Sequence, residues 1–406
     1  MKDNTHKHVV LVIENASVPN DMRVWKEAKT VRDLGYEVSV ICPRGGAIDT
    51  EARVRMDDID VYRYKQVVIG GGFLSYAVEY VNALVRVTAL ICRIRMRTRI
   101  HVFHIGNPPD IFFTVVFWFR LFGAKYIFDV HDLFVNTFQS KFQDRKSVLK
   151  SMFVGLLRVV ERLNIATADL VIATNASYRE YILTTHHRRP EEVFIVRNAP
   201  RLDSRNEIPP DPALKRGKKY LVVYFGNIGE DDGVDTVLRS MHHVITERGF
   251  TDIHCALIGS TDREASPAIE SIRRLHEELH LSSYVEFTGY LPWAQVHTLL
   301  RTADLGLSPD PLTPQNNLST MQKIMEYMSH GLPILSFNLK ENRFSAGNAA
   351  EYCADYDYRS FGDAMIALLD DPQKRGAMVE ECLRRYTTDF NWSAAERALA
   401  EVYRHV

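Results

Sequence analysis

The sequence predicts an α/β protein made of two doubly wound, Rossmann-like domains that face a central cleft. At 406 residues the chain is long enough for two domains of ordinary size. Its apolar runs are short and strand-like, and most are followed by a longer run with helical spacing, the pattern of a mostly parallel sheet. The alternation breaks once, at residues 199–218, where Pro200, Pro209, Pro210 and Pro212 lie among charged residues without periodicity, as in a linker.

In the first half, strands are expected at residues 8–14, 37–42, 61–64, 102–105, 126–130, 170–173 and 193–196. Helices are expected at 22–34, 74–97, 111–122 and 148–167, where apolar residues recur every three or four positions. A second series starts after the linker, with strands at 220–225, 254–258, 284–287, 305–307 and 333–337. The domains therefore span residues 1–198 and 219–389, and an amphipathic helix at 390–406 packs back on the first. No G-x-G-x-x-G follows a strand and opens a helix, which argues against dinucleotide redox chemistry. Gly70-Gly71-Gly72 lacks that spacing and reads as a flexible loop.

Composition is ordinary for a soluble globular protein, 46% hydrophobic and 25% charged, with a net charge of −1. The charge is unevenly distributed. Residues 1–190 carry 27 basic against 19 acidic side chains, a net of +8, and residues 191–406 carry 23 against 32, a net of −9. One half is thus expected to face something anionic. Nucleic acid is not expected, because no recognised binding motif is present and the aromatics are not interleaved with the basic residues. The five cysteines have no metal-ligand spacing and read as reduced thiols of a cytoplasmic protein. The charged start runs straight into a strand, so no leader is expected, and the longest apolar run, 111–119, is too short to span a bilayer.

The most informative stretch is residues 319–328, closed by Gly331-Leu332-Pro333. It reads as a helix entered from a Pro/Asn loop, and such a start offers free N–H groups and partial positive charge to a phosphate. At about 100° per residue, Ser319, Lys323 and Glu326 fall on nearly one face, with Glu326 about 10 Å below the start. That geometry suits a pyrophosphate at the top, a lysine beside it and a carboxylate on a ribose further down. An amphipathic helix with a solvated Lys-Glu pair fits the same spacing.

Several motifs give these residues a family context. The second half carries Tyr224-Phe225-Gly226-Asn227, Leu257-Ile258-Gly259, residues 285–291 (VEFTGYL) and residues 303–309 (ADLGLSP), then the helix at 319 with its Gly331-Leu332-Pro333-Ile334-Leu335. The first half carries Glu14-Asn15, Asn20-Asp21-Met22-Arg23-Val24 and Asp129-Val130-His131-Asp132-Leu133. Together these resemble the retaining glycosyltransferases of the family-four group, which have the glycosyltransferase-B fold. The first-half motifs resemble the branch that assembles bacterial polysaccharides and lipid-linked saccharides.

The resemblance implies a nucleotide-diphosphate sugar as donor, UDP more than GDP, and a saccharide or lipid-linked acceptor. It implies same-face substitution in which the leaving phosphate takes the acceptor proton, with no metal and no cofactor. His131 is implied beside the donor sugar, Glu326 on the ribose, and the backbone at Tyr290 and Leu291 around the base. Two departures stand out. Leu318 occupies the position of the family's first glutamate, with Asn316 and Asn317 as nearby polar groups. The loop 227–235 is acidic where the family has a basic pair.

The chemistry needs N–H donors and cations on the leaving diphosphate. Backbone groups of Ser319, Thr320 and Met321, the Gly226-Asn227 turn and Lys323 are the candidates, with Arg23 or Arg197 as further cations. Glu230, Asp231 and Asp232 read as solvated loop acids. His131 is either a participant in transfer or a structural histidine tied by Asp132. Asp129 and Asp132 are candidate acceptor-side groups. Asn20, Asp21 and Arg23 either contact acceptor or phosphate or simply cap a helix. Residues 84–100, with five arginines, and the aromatic run 111–122 suggest peripheral contact with an anionic membrane, although an aromatic-rich helix also suits a core. Two other functions stay open: a nucleotide-sugar epimerase or hydrolase on the same fold, and a non-catalytic nucleotide-sugar-binding subunit.

Overall fold

The computed structural model describes residues 7–45, 49–67, 73–141, 148–201, 208–229, 231–259 and 267–406. Gly70-Gly71-Gly72 and Glu230 lie outside them. The chain divides into two compact units, Met1–Asn198 with Ala395–Val406, and Ala199–Ala394.

The amino-terminal unit contains β1 (His8–Val12), β2 (Glu37–Pro43), β3 (Arg53–Met56), β4 (Ile59–Tyr64), β5 (Val102–Gly106), β6 (Lys125–Val130), β7 (Leu170–Ala173) and β8 (Val193–Ile195). They form one sheet in the order β3-β4-β2-β1-β5-β6-β7-β8. Every pair is parallel except β3 with β4. β1 is buried along its whole length, as a central strand covered by helices on both faces must be. The helices are α1 (Met22–Asp33), α2 (Phe73–Arg95), α3 (Phe113–Arg120), α4 (Phe134–Lys141), α5 (Val148–Thr167) and α6 (Ala176–Thr185). Strand order reverses between β1 and β5, and the carboxyl ends at such a reversal form the usual ligand crevice of an open α/β sheet. Glu14, Asn107 and His131 follow the strands there.

β3 was not foreseen. It pairs with β4 through a tight turn at Asp57 and Asp58, whose φ angles are 48° and 60°. Such hairpins need positive φ at both central residues, which Asp tolerates but signals less clearly than Asn-Gly.

The carboxy-terminal unit contains β9 (Tyr220–Phe225), β10 (Ile253–Ile258), β11 (Val285–Gly289), β12 (Leu305–Ser308), β13 (Ile334–Phe337) and β14 (Ala350–Cys353). The sheet order is β11-β10-β9-β12-β13-β14, all parallel. Its helices are α7 (Val234–His242), α8 (Pro267–Glu278), α9 (Trp293–Thr302), α10 (Pro314–Leu318), α11 (Gln322–Ser329), α12 (Lys340–Ala346), α13 (Tyr358–Leu369) and α14 (Pro372–Thr388). Alternate side chains of β9 feed two cores: Tyr220, Val222 and Tyr224 on one face, Leu221 and Val223 on the other. Here the order reverses between β9 and β12, and α11 starts beside that reversal.

The residues read as a linker belong to this unit. Leu214 packs on its core, the Asp211 N–H donates to Thr302 Oγ1 at 2.9 Å, and Lys215 pairs with Asp304 at 2.7 Å. The last helix, α15 (Trp392–Arg404), passes from this unit into the first. There the Tyr403 ring meets Tyr36 at 5.3 Å, and its hydroxyl lies 3.0 Å from His104 Nδ1.

Candidate functional site

In the carboxy-terminal unit, α11 is held by Tyr327. Its hydroxyl accepts the Phe225 N–H at 2.9 Å and donates to the Leu307 carbonyl at 3.0 Å, tying the helix to β9 and β12 together. Its ring lies on Gly306, where any Cβ would sit 2.7 Å from the ring, so glycine is required there. The helix entrance is thereby fixed beside the ends of both strands.

The sequence placed the helix start at Ser319, and the structure moves it. Ser319 closes α10, with its N–H already given to the carbonyls of Gln315 and Asn316 at 3.0 and 3.3 Å. α11 starts at Gln322, with Met321 as its uncapped N-cap. Among the described residues, the N–H groups of Thr320, Met321, Gln322 and Lys323 have no acceptor, and Thr320 Oγ1 is buried without a partner. Four donors and a hydroxyl are therefore left without partners at one helix entrance, an arrangement suited to an anion.

Lys323 also differs from expectation. It is buried rather than presented, and its Nζ lies 2.5 Å from Asp310 Oδ1, with 6% and 1% of the two side chains exposed. Asp310 in turn accepts from Ser308 Oγ at 2.6 Å, and Lys323 Nζ sits 3.4 Å from Tyr224 OH. Burial alone would lower the lysine's pKa, but Asp310 and Asp232 raise it above the ordinary value, so the ammonium is retained. Burial pushes Asp232 up to about 6 against the pull of Lys323. The ammonium is thus the shared member of an acid pair, and any anion bound at the helix entrance would compete for it. Asp310, absent from the sequence expectations, was signalled only by an acid two residues beyond a strand at the reversal.

The remaining candidates of this unit take separate places. Glu326 is half-buried one turn further along α11. Gly226 and Asn227 follow β9, where the Asn227 carbonyl accepts from Tyr224 OH at 2.7 Å. Asn317 Oδ1 accepts the Lys340 N–H at 2.8 Å, at the start of α12. Tyr290 is 78% exposed, whereas Leu291 packs on the core beneath α9. A cavity of about 550 Å³ opens elsewhere in the unit, lined by Arg216, His254, Glu286 and Gln295 among others, and none of the first turn of α11 reaches it. Its Arg216 and His254 both face Glu286, so its charges answer one another.

In the amino-terminal unit the chemistry gathers around Arg23. Its guanidinium makes 2.8 and 2.9 Å bonds to Asp129, a 3.0 Å contact with Glu27, and a 2.9 Å bond to the Val196 carbonyl. His131 Nε2 lies 2.7 Å from Asp129 Oδ2 and 3.2 Å from Arg23 Nε. Burial would raise Asp129, but Arg23 and His131 hold it well below the usual carboxylate range. Burial would lower His131, but Asp129 raises it above its ordinary value. Glu27 is raised by burial despite Arg23. Ligand atoms of Glu27, Asp129 and His131 lie within 4.8 Å of one another. That spacing suits a metal, but the guanidinium already pairs with both carboxylates, so the cluster carries its own cation.

Arg23 and Asp129 were expected to meet phosphate or acceptor. Both are buried and committed to each other, so they orient His131 instead. The imidazole itself is partly exposed, its side chain 14% accessible. It fits because Gly106 has no side chain: a Cβ there would lie 2.9 Å from His131 Cε1. Asn107 Oδ1 accepts the N–H groups of His131 and Asp132 at 2.8 and 3.3 Å, fixing the loop. Asp132 does not tie the imidazole; it is half-buried, and burial raises its pKa. Asp21 is the N-cap of α1, accepting from the Val24 N–H at 3.0 Å. Asn20 is exposed but donates to Ser17 and Asp49, both at 3.1 Å. Arg197 is half-buried beside Asn198, which accepts from Lys26 at 3.3 Å.

Glu14, quoted above within the Glu14-Asn15 motif but given no role there, is a further buried group. It is 4% exposed, its Oε1 accepts from Gln66 at 2.8 Å, and burial pushes its pKa up to about 7 from an ordinary 4.5. A carboxyl whose folded pKa is raised costs stability progressively as pH climbs from about 4.5 to 7. Glu14→Gln keeps the Gln66 contact and removes that cost, and is expected to stabilise the fold by on the order of 2 kcal/mol at pH 8 and not at pH 4. Thermal melts at the two pH values check this, and an equal effect at both would exclude the charge as the cause.

Residues 219–371 match the family of glycosyl transferases group 1, and residues 22–199 match the glycosyl transferase 4-like domain. The D-inositol 3-phosphate glycosyltransferase of Thermobispora bispora is 23% identical over 58% of this chain and 56% of its own length. The chain thus spans little more than half of that relative. The chitobiosyldiphosphodolichol beta-mannosyltransferase of Candida glabrata is 21% identical over 98% of this chain and 91% of its own. Among solved structures, Anabaena Alr3699/HepE in complex with UDP and glucose superposes with a TM-score of 0.72 at 14% identity, covering 99% of this chain and 100% of that one. Identity at that level shows the fold alone.

Proposed function

The chain belongs to the glycosyltransferases with the two-domain glycosyltransferase-B fold, and from that membership we propose that it moves a sugar from a nucleotide-diphosphate sugar, UDP-linked rather than GDP-linked, to a saccharide or lipid-linked acceptor in cell-surface polysaccharide assembly. The observation that carries this reading is the uncapped entrance of α11, where the N–H groups of Thr320, Met321, Gln322 and Lys323 are unpaired among the described residues. A leaving diphosphate gathers negative charge as the sugar's C1–O bond breaks, and donors fixed beforehand stabilise that charge without reorganising. No metal or other cofactor is required for that task in this reading. The UDP preference is supported by the UDP bound to the structural neighbour.

In this reading Glu326 holds the ribose, and His131, oriented by Asp129, assists at the donor sugar. The transfer retains configuration: the acceptor hydroxyl forms its bond to C1 on the face the diphosphate leaves, and the departing phosphate oxygen takes its proton. Glu326→Ala is expected to weaken UDP binding at least tenfold, since a hydrogen bond to a charged group is worth roughly 1.5–3 kcal/mol. Calorimetric titration measures this, and unchanged affinity would remove the ribose role.

The test of the whole reading is a thermal-shift panel of UDP- and GDP-sugars, followed by assay of nucleotide release with and without saccharide acceptors. Stabilisation by UDP-sugars and acceptor-dependent UDP release are expected. Turnover without acceptor would point to an epimerase or hydrolase, and binding without turnover to a non-catalytic subunit. No stabilisation by any nucleotide sugar would overturn the proposal. The anomeric proton of the product decides the stereochemistry. The name of the Candida glabrata relative keeps a β-linked product in view, and inversion of an α-linked donor would need a base to take the acceptor proton.

A further inference from the structure

Of the seventeen large apolar side chains left exposed among the described residues, twelve belong to α2, α3, α5 and the turns that follow α2 and α3. On α5, Met152, Leu156, Val159 and Leu163 recur at helical spacing, each about half or more exposed. They form an apolar stripe on the side of the helix turned away from the sheet. At the end of α3, Phe117, Trp118, Leu121 and Phe122 are 46–79% exposed, although Phe112 and Val116 of the same segment are in the core. Val78, Val81 and Val85 make a third stripe on α2.

These helices share one face of the sheet. The connections from β4 to β5, β5 to β6 and β6 to β7 all run in the same direction across the strand order, and right-handed crossovers put their helices on the same side. α3 packs against α5. The turn after α2 reaches the end of α3, where Arg99 Nη2 approaches the Phe122 carbonyl at 3.4 Å.

The charge on this face has one sign. Arg93, Arg95, Arg97, Arg99, Arg158 and Arg162 are exposed. The only acids in α2, α3 and α5 are Glu79 and Glu161; Glu161 is buried and Glu79 is half-buried. A second copy of this surface would bring arginine against arginine, so self-association is disfavoured. A partner has to be apolar in its interior and anionic at its boundary, which describes the headgroup region of an acidic bilayer. We propose that the face formed by α2, α3 and α5 docks on an anionic lipid membrane, with Trp118, Leu121 and Phe122 entering the acyl boundary and the arginines meeting headgroup phosphates. The contact is peripheral: among the described residues no helix is long and apolar enough to cross a membrane.

The proposal is independent of the transfer activity and is tested without it. The full chain is floated with vesicles of phosphatidylglycerol and phosphatidylethanolamine, and separately with phosphatidylcholine. Binding to the acidic vesicles at least tenfold stronger than to the neutral ones, weakened by 0.5 M salt, is expected. Trp118→Ser with Phe122→Ser, and Leu156→Ser with Val159→Ser as a second pair on another helix, should each weaken it at least tenfold with the melting temperature unchanged. Failure of the wild-type chain to bind acidic vesicles, or equal binding to both kinds, overturns the proposal. A dimer in light scattering that either pair of substitutions dissolves would overturn it in favour of a self-interface.

Discussion

Lys323→Ala is expected to lower turnover by two to three orders of magnitude and to destabilise the carboxy-terminal unit by about 3–5 kcal/mol. The two losses have separate origins. Asp310 is 1% exposed, and its partner ammonium lies 2.5 Å away. Among the described residues, removing the lysine leaves a buried carboxylate whose one side-chain hydrogen-bond donor is the Ser308 hydroxyl at 2.6 Å. Asp310 must then take up a proton or draw in water. The catalytic loss comes from the missing positive charge beneath the α11 entrance, where the leaving phosphate is proposed to sit. The double variant Lys323→Ala, Asp310→Asn separates them: it should recover most of the melting temperature and none of the rate. Thermal melts and initial rates of nucleotide release measure both. If the double variant regained turnover, the lysine would serve only to neutralise Asp310.

Arg23→Met should be the most damaging single change in the amino-terminal unit, again about 3–5 kcal/mol, because two carboxylates lose their cation at once. Asp129 and Glu27 each have about 1% of their side chains exposed. The His131 and His104 imidazoles remain near them, and neither satisfies the Val196 carbonyl. Arg23→Lys should recover only part of the loss, since one ammonium cannot reproduce a planar fork that bonds to Asp129 and Val196 and pairs with Glu27. The deficit also has a pH signature. Without the guanidinium, burial raises both folded carboxyl pKa values above their unfolded ones. The penalty then grows as pH rises from about 4 toward neutrality and shrinks in acid. Melting curves from pH 4 to 8 show the trend, and a deficit constant across that range would mean that lost packing, not charge, is responsible.

The parts of the fold legible in the sequence were those set by local pattern. β7 (Leu170–Ala173) and β9 (Tyr220–Phe225) came out with their bounds correct, since each is an apolar run opened by a charged residue, Asp169 or Lys219, and closed by Thr174 or Gly226. α5 did so for its helical spacing. β14 escaped because Ala350-Glu351-Tyr352-Cys353 has little apolar pattern of its own and is a strand only by pairing with β13. The division between α10 and α11 escaped because Ser319 and Thr320 read as a helix start, whereas Thr313, whose Oγ1 accepts the Asn316 N–H at 3.0 Å, is the true cap of the preceding turn.

For the site, residue types were legible and their mutual commitments were not. Arg23 and Asp129 lie 106 positions apart, and Lys323 and Asp310 lie 13 apart across a strand end and a short helix. Only the topology brings either pair together. One local hint existed: Arg23, Glu27 and Thr30 share the inward face of α1 with Val24, Ala28 and Val31, and charges on a buried face are nearly always paired.

The return of residues 395–406 to the first unit has a consequence for biosynthesis. A ribosome completes residues 1–198 long before it makes Tyr403, whose hydroxyl lies 3.0 Å from His104, itself 3.8 Å from Asp129. Until that segment emerges, the nascent first half has an uncovered flank beside its most charged interior. Early compaction of this half is therefore provisional, and it becomes final only after some two hundred further residues have been translated.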